Sequence, residues 1–364
     1  MNNTDQQKSL LSVRDQTCYK PCMSEPVNNL TKPLHGGDLT AATKEFGLPE
    51  DQWIDLSTGI NSTSYPNTHL SAQIFQTLPK MSDMERLLNA ARRFYRVNKD
   101  SEIIAGPGTQ SILQNLPLLF PSRKIVILTP TYSEHQYTWE QAGNKVEPVN
   151  TLSAVPHDVI AVVVNPNNPD GRKHQVDDLL KLSENLELLV VDEAFCDNSP
   201  DLSIIPHLAE HKILVLRSLG KFFGLAGLRL GFALGMPAIT RQLVARLGPW
   251  AVSGPAIEIG TRALLDSSWF SEMQKTLNSK SSRLNRILDK EKLSIIGGTD
   301  LFTLITTDHA FELYNALAKA GILVRRFEEH PKWLRMGLPG AEIEWQKLEF
   351  VLNSTLNTIN NMRK

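Results

Sequence analysis

VIAVVVNPNNPDG (residues 159–171), LLVVDEAF (188–195) and ILVLRSLGK (213–221) share one design. Each opens with four to six apolar residues, many of them β-branched, and then turns abruptly polar. Such a run suits a strand buried on both faces and is short for a helix. KIVIL at 124–128 has the same form and is followed by Thr129-Pro130-Thr131-Tyr132. Amphipathic stretches such as 176–186 lie between the runs. Strand, helix, strand, helix predicts an α/β fold, a mostly parallel central sheet with helices on both faces. A further strand is expected at 229–234.

Outward from this centre the pattern changes. Residues 39–46 are helix-like and stop at Gly47-Leu48-Pro49, 54–57 are extended, and 84–95 have helical spacing. Beyond 255 the chain reads as a long helix at 256–288, a strand at 302–306 and a helix at 310–319 closed by Gly321. Strands at 322–325 and 333–337 and a helix at 343–359 follow. Two or three strands with helices make a smaller α+β domain. The expected organisation is an arm or tail at 1–32, a large cofactor-binding domain at 62–255, and a small domain with substrate-gripping segments built from 33–61 and 256–364. A chain of 364 residues fits two domains at roughly 150 residues each.

Composition excludes several classes. Hydrophobic residues are 41% and charged residues 21%, which rules out wholesale disorder. With 38 Lys and Arg against 39 Asp and Glu, the chain lacks the basic excess of a nucleic-acid-binding protein. It has no apolar run of about twenty residues, so no membrane span is expected. The first residues lack the basic-then-apolar layout of a secretory signal, and a cytoplasmic location is expected. Three cysteines cannot staple the fold. Cys18 and Cys22 read as free thiols, because no further metal ligands lie at a useful spacing.

Open α/β sheets bind ligands at the carboxyl ends of their strands. There this sequence places Thr129 to Tyr132, Asn165 to Gly171, Asp192 to Phe195, and Arg217 to Lys221 followed by Gly224, Gly227 and Arg229. Gly106-Pro107-Gly108-Thr109 opens a helix and can offer backbone N–H groups to one phosphate. It lacks the third glycine of a dinucleotide fingerprint and the Gly-Lys-Ser/Thr of a P-loop. A lysine among apolar residues has a lowered pKa suited to bonding a carbonyl. Taken together, a phosphate cradle, an aromatic residue, Asn, Asp, Ser, Lys and Arg in this order describe a site for pyridoxal phosphate. That cofactor needs a lysine for its aldehyde, a carboxylate for its ring nitrogen and donors for its phosphate.

The segments Asn168-Pro169-Asp170-Gly171, Asp192-Glu193-Ala194-Phe195 and Ser218-Leu219-Gly220-Lys221 with Arg229 resemble those of fold-type I pyridoxal-phosphate enzymes, the aspartate aminotransferase superfamily. The resemblance runs from about residue 33 to the end. It implies that Lys221 bonds the aldehyde and Asp192 pairs with the ring nitrogen. It further implies Asn168 at the ring oxygen, Tyr132 on the ring face, and Ser218, Arg229 and the backbone of Gly108 and Thr109 at the phosphate. Arg335 matches the arginine that grips the substrate α-carboxylate.

A narrower resemblance lies in His35-Gly36-Gly37-Asp38, in residues 54–61, and in 216–222, 249–253, 322–327 and 333–339. These are similar to the cobalamin-pathway threonine-phosphate decarboxylases. The resemblance implies conversion of L-threonine O-3-phosphate to (R)-1-aminopropan-2-ol O-phosphate in a homodimer, with His35, Gly36, Asn61 and Arg325 helping to bind the far phosphate. Arg325 and Arg326 are neighbours, so on a strand only one can face the site.

The alternative is a histidinol-phosphate-type aminotransferase acting on a phosphorylated amino compound. Those relatives usually carry a tyrosine three residues after the ring-nitrogen aspartate, where this chain has Phe195. They often carry a tyrosine that reaches the partner's cofactor phosphate. The corresponding count from Pro79 ends at Asp83 and Met84, leaving Tyr65 as a candidate substitute. A ligand-sensing regulator of the same fold is a third reading. It would carry a DNA-binding helix-turn-helix in front, and the residues before His35 do not read as one.

Overall fold

The apolar runs are strands whose side chains alternate between two cores. The computed structural model describes residues 33, 35–66 and 70–361. Residues 1–32, with Cys18 and Cys22, lie outside the described residues. The strands are β1 (Ile54–Asp55), β2 (Glu102–Gly106), β3 (Lys124–Leu128), β4 (Lys145–Val149), β5 (Ile160–Val164), β6 (Leu188–Asp192) and β7 (Ile213–Ser218). β8 (Gly231–Gly235), β9 (Ser294–Thr299), β10 (Phe302–Thr306), β11 (Ile322–Leu323), β12 (Arg325–Arg326) and β13 (Trp333–Gly337) follow. The helices are α1 (Leu39–Phe46), α2 (Gln73–Gln76), α3 (Met81–Phe94), α4 (Thr109–Asn115), α5 (Glu134–Gln141) and α6 (Val176–Glu184). α7 (Pro237–Leu247), α8 (Gly254–Leu265), α9 (Ser267–Lys290), α10 (Ala310–Lys319) and α11 (Glu342–Asn361) complete the set.

The large sheet has the order β2-β8-β7-β6-β5-β3-β4. β8 runs antiparallel to both neighbours, and the other pairings are parallel. Val126, Leu128, Ala161, Val163, Leu189 and Val191 enter one apolar cluster, whereas Ile125, Ile127, Ile160, Val162, Leu188 and Val190 enter the other. Burying both faces of β5 and β6 in this way contributes ~1.5–3 kcal/mol for each large aliphatic side chain. All strands of the parallel core therefore end at one edge, where their polar sequels gather.

A four-stranded antiparallel sheet, β12-β13-β10-β9, and a parallel pair, β1-β11, make up the rest. The β1–β11 pairing (Ile54 with Ile322, Asp55 with Leu323) joins the chain before residue 61 to its C-terminal part. That pairing supports the division into 62–255 and 33–61 with 256–364, which we carry forward as a proposal.

Several expectations change. EIIAG and KVEPV are the strands β2 and β4, and SIIGGT is β9. β8 begins at Gly231, since Arg229 is left-handed (φ 53°, ψ 58°) and cannot continue a strand. The single helix expected at 256–288 is two, because Asp266 caps the second: its carboxylate accepts from the Trp269 N–H at 3.0 Å. The strand expected at 322–325 is divided between β11 and β12, which belong to different sheets.

Candidate active site

Strand register assembles the first corner of the site. Gly106 pairs with Gly231, and Gly231 with Ser218, so the ends of β2, β8 and β7 form one row. Gly108 precedes α4 at φ 79°, and a Cβ there would lie 2.6 Å from Arg229 Nη2. A Cβ on Gly231 would lie 2.5 Å from the Thr109 nitrogen. Glycine at these two positions lets backbone, guanidinium and helix start converge. Arg229 Nη1 donates to the Ala226 carbonyl at 3.1 Å, and Ser218 Oγ accepts from the Gly220 N–H at 3.2 Å. The Gly108 N–H donates to the Gly106 carbonyl at 2.7 Å, which leaves the Thr109 N–H, a hydroxyl and a guanidinium around a cradle that one Cβ would fill as the phosphate donor set.

The second corner holds the titratable groups. Asp192 ends β6 and is 5% exposed. Its Oδ2 lies 3.0 Å from Nε2 of the buried His135, and its Oδ1 accepts from the Ala194 N–H at 2.9 Å. Lys221, three residues past β7, donates from Nζ to the Thr58 carbonyl at 3.2 Å, and its Nζ lies 5.3 Å from the Phe195 ring centroid. Burial, reinforced by Arg335 and Arg229 and opposed by Asp192 and Asp55, brings its amine down to about 8. The Tyr132 hydroxyl donates to Gln110 Oε1 at 3.4 Å. Burial and then the Glu134 and Asp192 charges push that phenol up.

The third corner is cationic. Arg335 on β13 is 5% exposed; it donates to Asn168 Oδ1 and, at 2.5 Å, to the Ser57 carbonyl. Burial, with Arg325 adding to it, lowers its pKa to about 9, and Asp55 opposes the shift. Arg325 faces Arg335 directly in the β12–β13 register, so the two side chains share a face. Burial lowers the Arg325 pKa as well, against the Glu328 charge. Arg326 lies over the Tyr314 ring at 4.8 Å.

His35 approaches from before α1. Its Nε2 lies 2.7 Å from Glu134 Oε1, and its ring centroid lies 5.9 Å from that of Tyr132. A Cβ on Gly36 would meet the Ser57 carbonyl oxygen at 2.6 Å, so only glycine lets this segment approach. Asn61 spends its side chain on backbone: Nδ2 donates to the Phe222 carbonyl at 2.9 Å and Oδ1 accepts from the Thr63 N–H at 2.9 Å. It pins the loop after Gly59 against Lys221, whose carbonyl accepts from the Asn61 N–H at 3.0 Å.

His135, Glu134, Gln110, Ser57 and Thr58 were not evident in the sequence. Glu134-His135 sits at a helix start directly after the polar sequel of a strand, and that position was the available signal. Tyr65 is 9% exposed and its hydroxyl donates to Asp266 Oδ2 at 3.3 Å, within the same chain.

Immediately behind the site is a second charged group. Arg217, one residue before Ser218, reaches Glu193 at 2.9 Å and Asp197 at 3.0 Å, and all three side chains are buried. Glu193 also accepts from the Ser203 hydroxyl and the Ile204 N–H, each at 2.8 Å. Burial pushes Asp197 up to about 7 against the pull of Arg217. Burial opposes the Arg217 charge, but Glu193, Cys196 and Asp197 outweigh it and hold its pKa above the ordinary value.

With this geometry in hand, the likeness to known proteins is specific. The family model described as aminotransferase class I and II matches residues 51–349. A threonine-phosphate decarboxylase of Sinorhizobium sp is 38% identical over 323 residues, covering 87% of this chain and 94% of the relative. One of Pseudomonas aeruginosa is 36% identical over 326 residues, covering 87% and 96%. Among solved structures, the histidinol-phosphate aminotransferase of Sinorhizobium meliloti in complex with pyridoxal-5'-phosphate superposes with a TM-score of 0.79. At 17% identity, over 93% of this chain and 98% of that one, it speaks for the fold alone. The chain therefore belongs to the aminotransferase class I and II family, on the branch of the threonine-phosphate decarboxylases.

Proposed function

We propose that this chain is a pyridoxal-phosphate-dependent carboxy-lyase that converts L-threonine O-3-phosphate to (R)-1-aminopropan-2-ol O-phosphate, for the cobalamin side arm. The observation that carries the reading is the Arg325–Arg335 pair. Two guanidinium groups on one face gather positive charge at the site, and this substrate brings a carboxylate and a phosphate to match it.

The residues fit the cofactor. Lys221 would hold its aldehyde carbon, Asp192 with His135 behind it would face the ring nitrogen, and Asn168 the ring oxygen. Tyr132 would cover the ring, while Thr109, Ser218 and Arg229 would hold the phosphate in the cradle that Gly108 leaves open. When bound, the cofactor supplies an electron sink for the pair left behind as the Cα–carboxylate bond breaks.

The chain's own residues decide which bond breaks, by orientation. Arg335 holds the α-carboxylate, and Arg325 with His35 and the backbone at Gly36 holds the far phosphate; Asn61, expected to join them, instead braces the loop beside Lys221, its side chain bonded to backbone. Two anchors stop rotation at Cα, and the remote phosphate supplies binding energy for that restraint. Carbon dioxide leaves without a proton, so Cα must gain one. Lys221 Nζ, with its pKa near 8, is suited to deliver it.

Phe195 favours this reading over the aminotransferase. Its ring packs edge-on against Phe302 at 5.1 Å and offers no donor where the aminotransferases usually have a phenol. The test is incubation with threonine phosphate, following carbon dioxide and 2-oxo acid. Amino transfer to 2-oxoglutarate without carbon dioxide would establish the aminotransferase instead.

A homodimer belongs to the same proposal. Phe75, Leu78, Met81 and Trp250 are exposed apolar side chains on segments that meet where Gly254 packs on Ile74. A patch of that kind suits a partner subunit. A cytoplasmic location completes the reading; the buried free thiol of Cys196 suits a reducing compartment. Among the described residues no helix is long and apolar enough to cross a membrane.

A further inference from the structure

We infer that Glu134 is the positioning residue that fixes His35 for the substrate's phosphate, and thereby sets the preference for a phosphorylated amino acid; this rests on the decarboxylase reading. Glu134 opens α5, two residues after Tyr132, and is 5% exposed. Both carboxylate oxygens are engaged. Oε1 lies 2.7 Å from His35 Nε2, and Oε2 accepts from Gln110 Nε2 at 2.5 Å. Gln110 in turn accepts from the Tyr132 hydroxyl at 3.4 Å. Three separate segments (the stretch before α1, the start of α4 and the start of α5) thus meet on one side chain.

A buried carboxylate beside a site for a dianionic ligand is unfavourable, since it costs desolvation and repels the ligand. Core packing alone would be served by glutamine or an apolar residue. Glu134 offers something they lack, two acceptors on one rigid plane. His35 needs such a partner. Its segment is held by backbone contacts, the Gly36 approach and the Gly37 N–H to Ser57 Oγ bond at 2.7 Å, while its side chain remains 39% exposed. Anchoring Nε2 leaves Nδ1 for the ligand. An imidazolium can give one N–H to Glu134 and the other to a phosphate oxygen. Glu134 touches no reacting atom; it acts through His35.

The experiment uses the holoenzyme and the variants Glu134→Gln, His35→Ala and their combination. Steady-state constants are measured for threonine phosphate. Affinities are read from cofactor absorbance for two probes: O-phosphoethanolamine, with a phosphate and no carboxylate, and L-threonine, with a carboxylate and no phosphate. Glu134→Gln should raise the KM for threonine phosphate and weaken phosphoethanolamine about tenfold, with kcat within about twofold and L-threonine unchanged. In the His35→Ala background the same substitution should add less than about twofold.

Equal weakening of both probes, full additivity with His35→Ala, or a kcat loss at constant KM would overturn the inference. If Glu134→Gln fails to retain cofactor, His35→Ala alone must reproduce the phosphate-specific loss, and its failure to do so counts equally against the idea. Absence of carbon dioxide release by the wild-type protein would defeat the decarboxylase reading, while the phosphoethanolamine comparison would still decide the role of Glu134.

Discussion

Arg217 and Arg335 are both buried, and they stand in opposite electrostatic situations. Arg217 faces two carboxylates, Glu193 and Asp197, and its pKa is held above the ordinary value. Arg335 bonds an amide oxygen and a backbone carbonyl, faces Arg325, and has its pKa lowered to about 9. The first group is electrostatically closed and serves the fold. It ties the residue after Asp192 to the residue before Ser218, so the two strand ends that carry the site keep their spacing. In the second, burial and Arg325 outweigh the opposing charge of Asp55. Burial is common to both; what separates them is that two carboxylates bond Arg217 directly, whereas Arg335 is bonded by neutral oxygens.

The comparison can be broken at several points. The largest expected effect is at Lys221, where replacement by alanine should lower turnover at least about a thousandfold and abolish borohydride fixation of the cofactor to the chain. Next, Arg217→Met should destabilise the protein by about 3–5 kcal/mol, since it strands two buried carboxylates. Denaturant unfolding measures this, and a loss below about 1 kcal/mol would remove the structural half of the contrast. Arg335→Met should do the reverse: KM for threonine phosphate rising about a hundredfold, with stability unchanged or improved. If the two variants unfolded alike, the distinction drawn here would fail.

A smaller effect concerns pH. Because the Lys221 pKa lies near 8, below the ordinary lysine value, its neutral amine is populated at lower pH than in solution. Capture of cofactor by the apoprotein should rise about tenfold per pH unit below 8 and level off above it. A rise continuing to pH 10 would place the amine in water.

The smallest effect is at Asp197. Its raised pKa means that the folded state holds a proton that the unfolded state has lost, across the window from the ordinary carboxylate range to about 7. Stability therefore falls as pH rises through that window. Asp197→Asn should flatten this slope by about 1 kcal/mol per pH unit, seen in melting curves taken at pH 5 and 7.

The sequence revealed the parallel core because its strands are short, apolar and buried on both faces. It concealed β2 and β4, whose runs carry Glu102, Glu147 and Pro148. It concealed the break at Asp266 because the apolar periodicity continues across it. In the site, residues that stand next to strand ends were legible: Asp192, Ser218, Lys221 and the Asn168 loop. Glu134 and His135 were not, because their importance comes from what they meet, His35 and Asp192, which lie 99 and 57 residues away. Asn61 reads in the sequence as a phosphate ligand, but in three dimensions its side chain is bonded to the backbone of Phe222 and Thr63.

The loop of Asn168 and the β9–β10 hairpin come together at glycines. A Cβ on Gly171 would fall 1.9 Å from the Gly298 carbonyl oxygen, and one on Gly297 would fall 1.9 Å from that of Asp170. At these two points backbone rests on backbone, which cannot yield as a flexible side chain would. Any rocking of the hairpin carries the loop with it, and β13, paired to β10, follows. Arg335 on β13 and Asn168 on the loop, which are also bonded to each other, are thereby held as one piece. The short segment bearing His35 is set in the same way, since a Cβ on Gly36 would fall 2.6 Å from the Ser57 carbonyl oxygen, so that wall of the site is fixed by backbone as well.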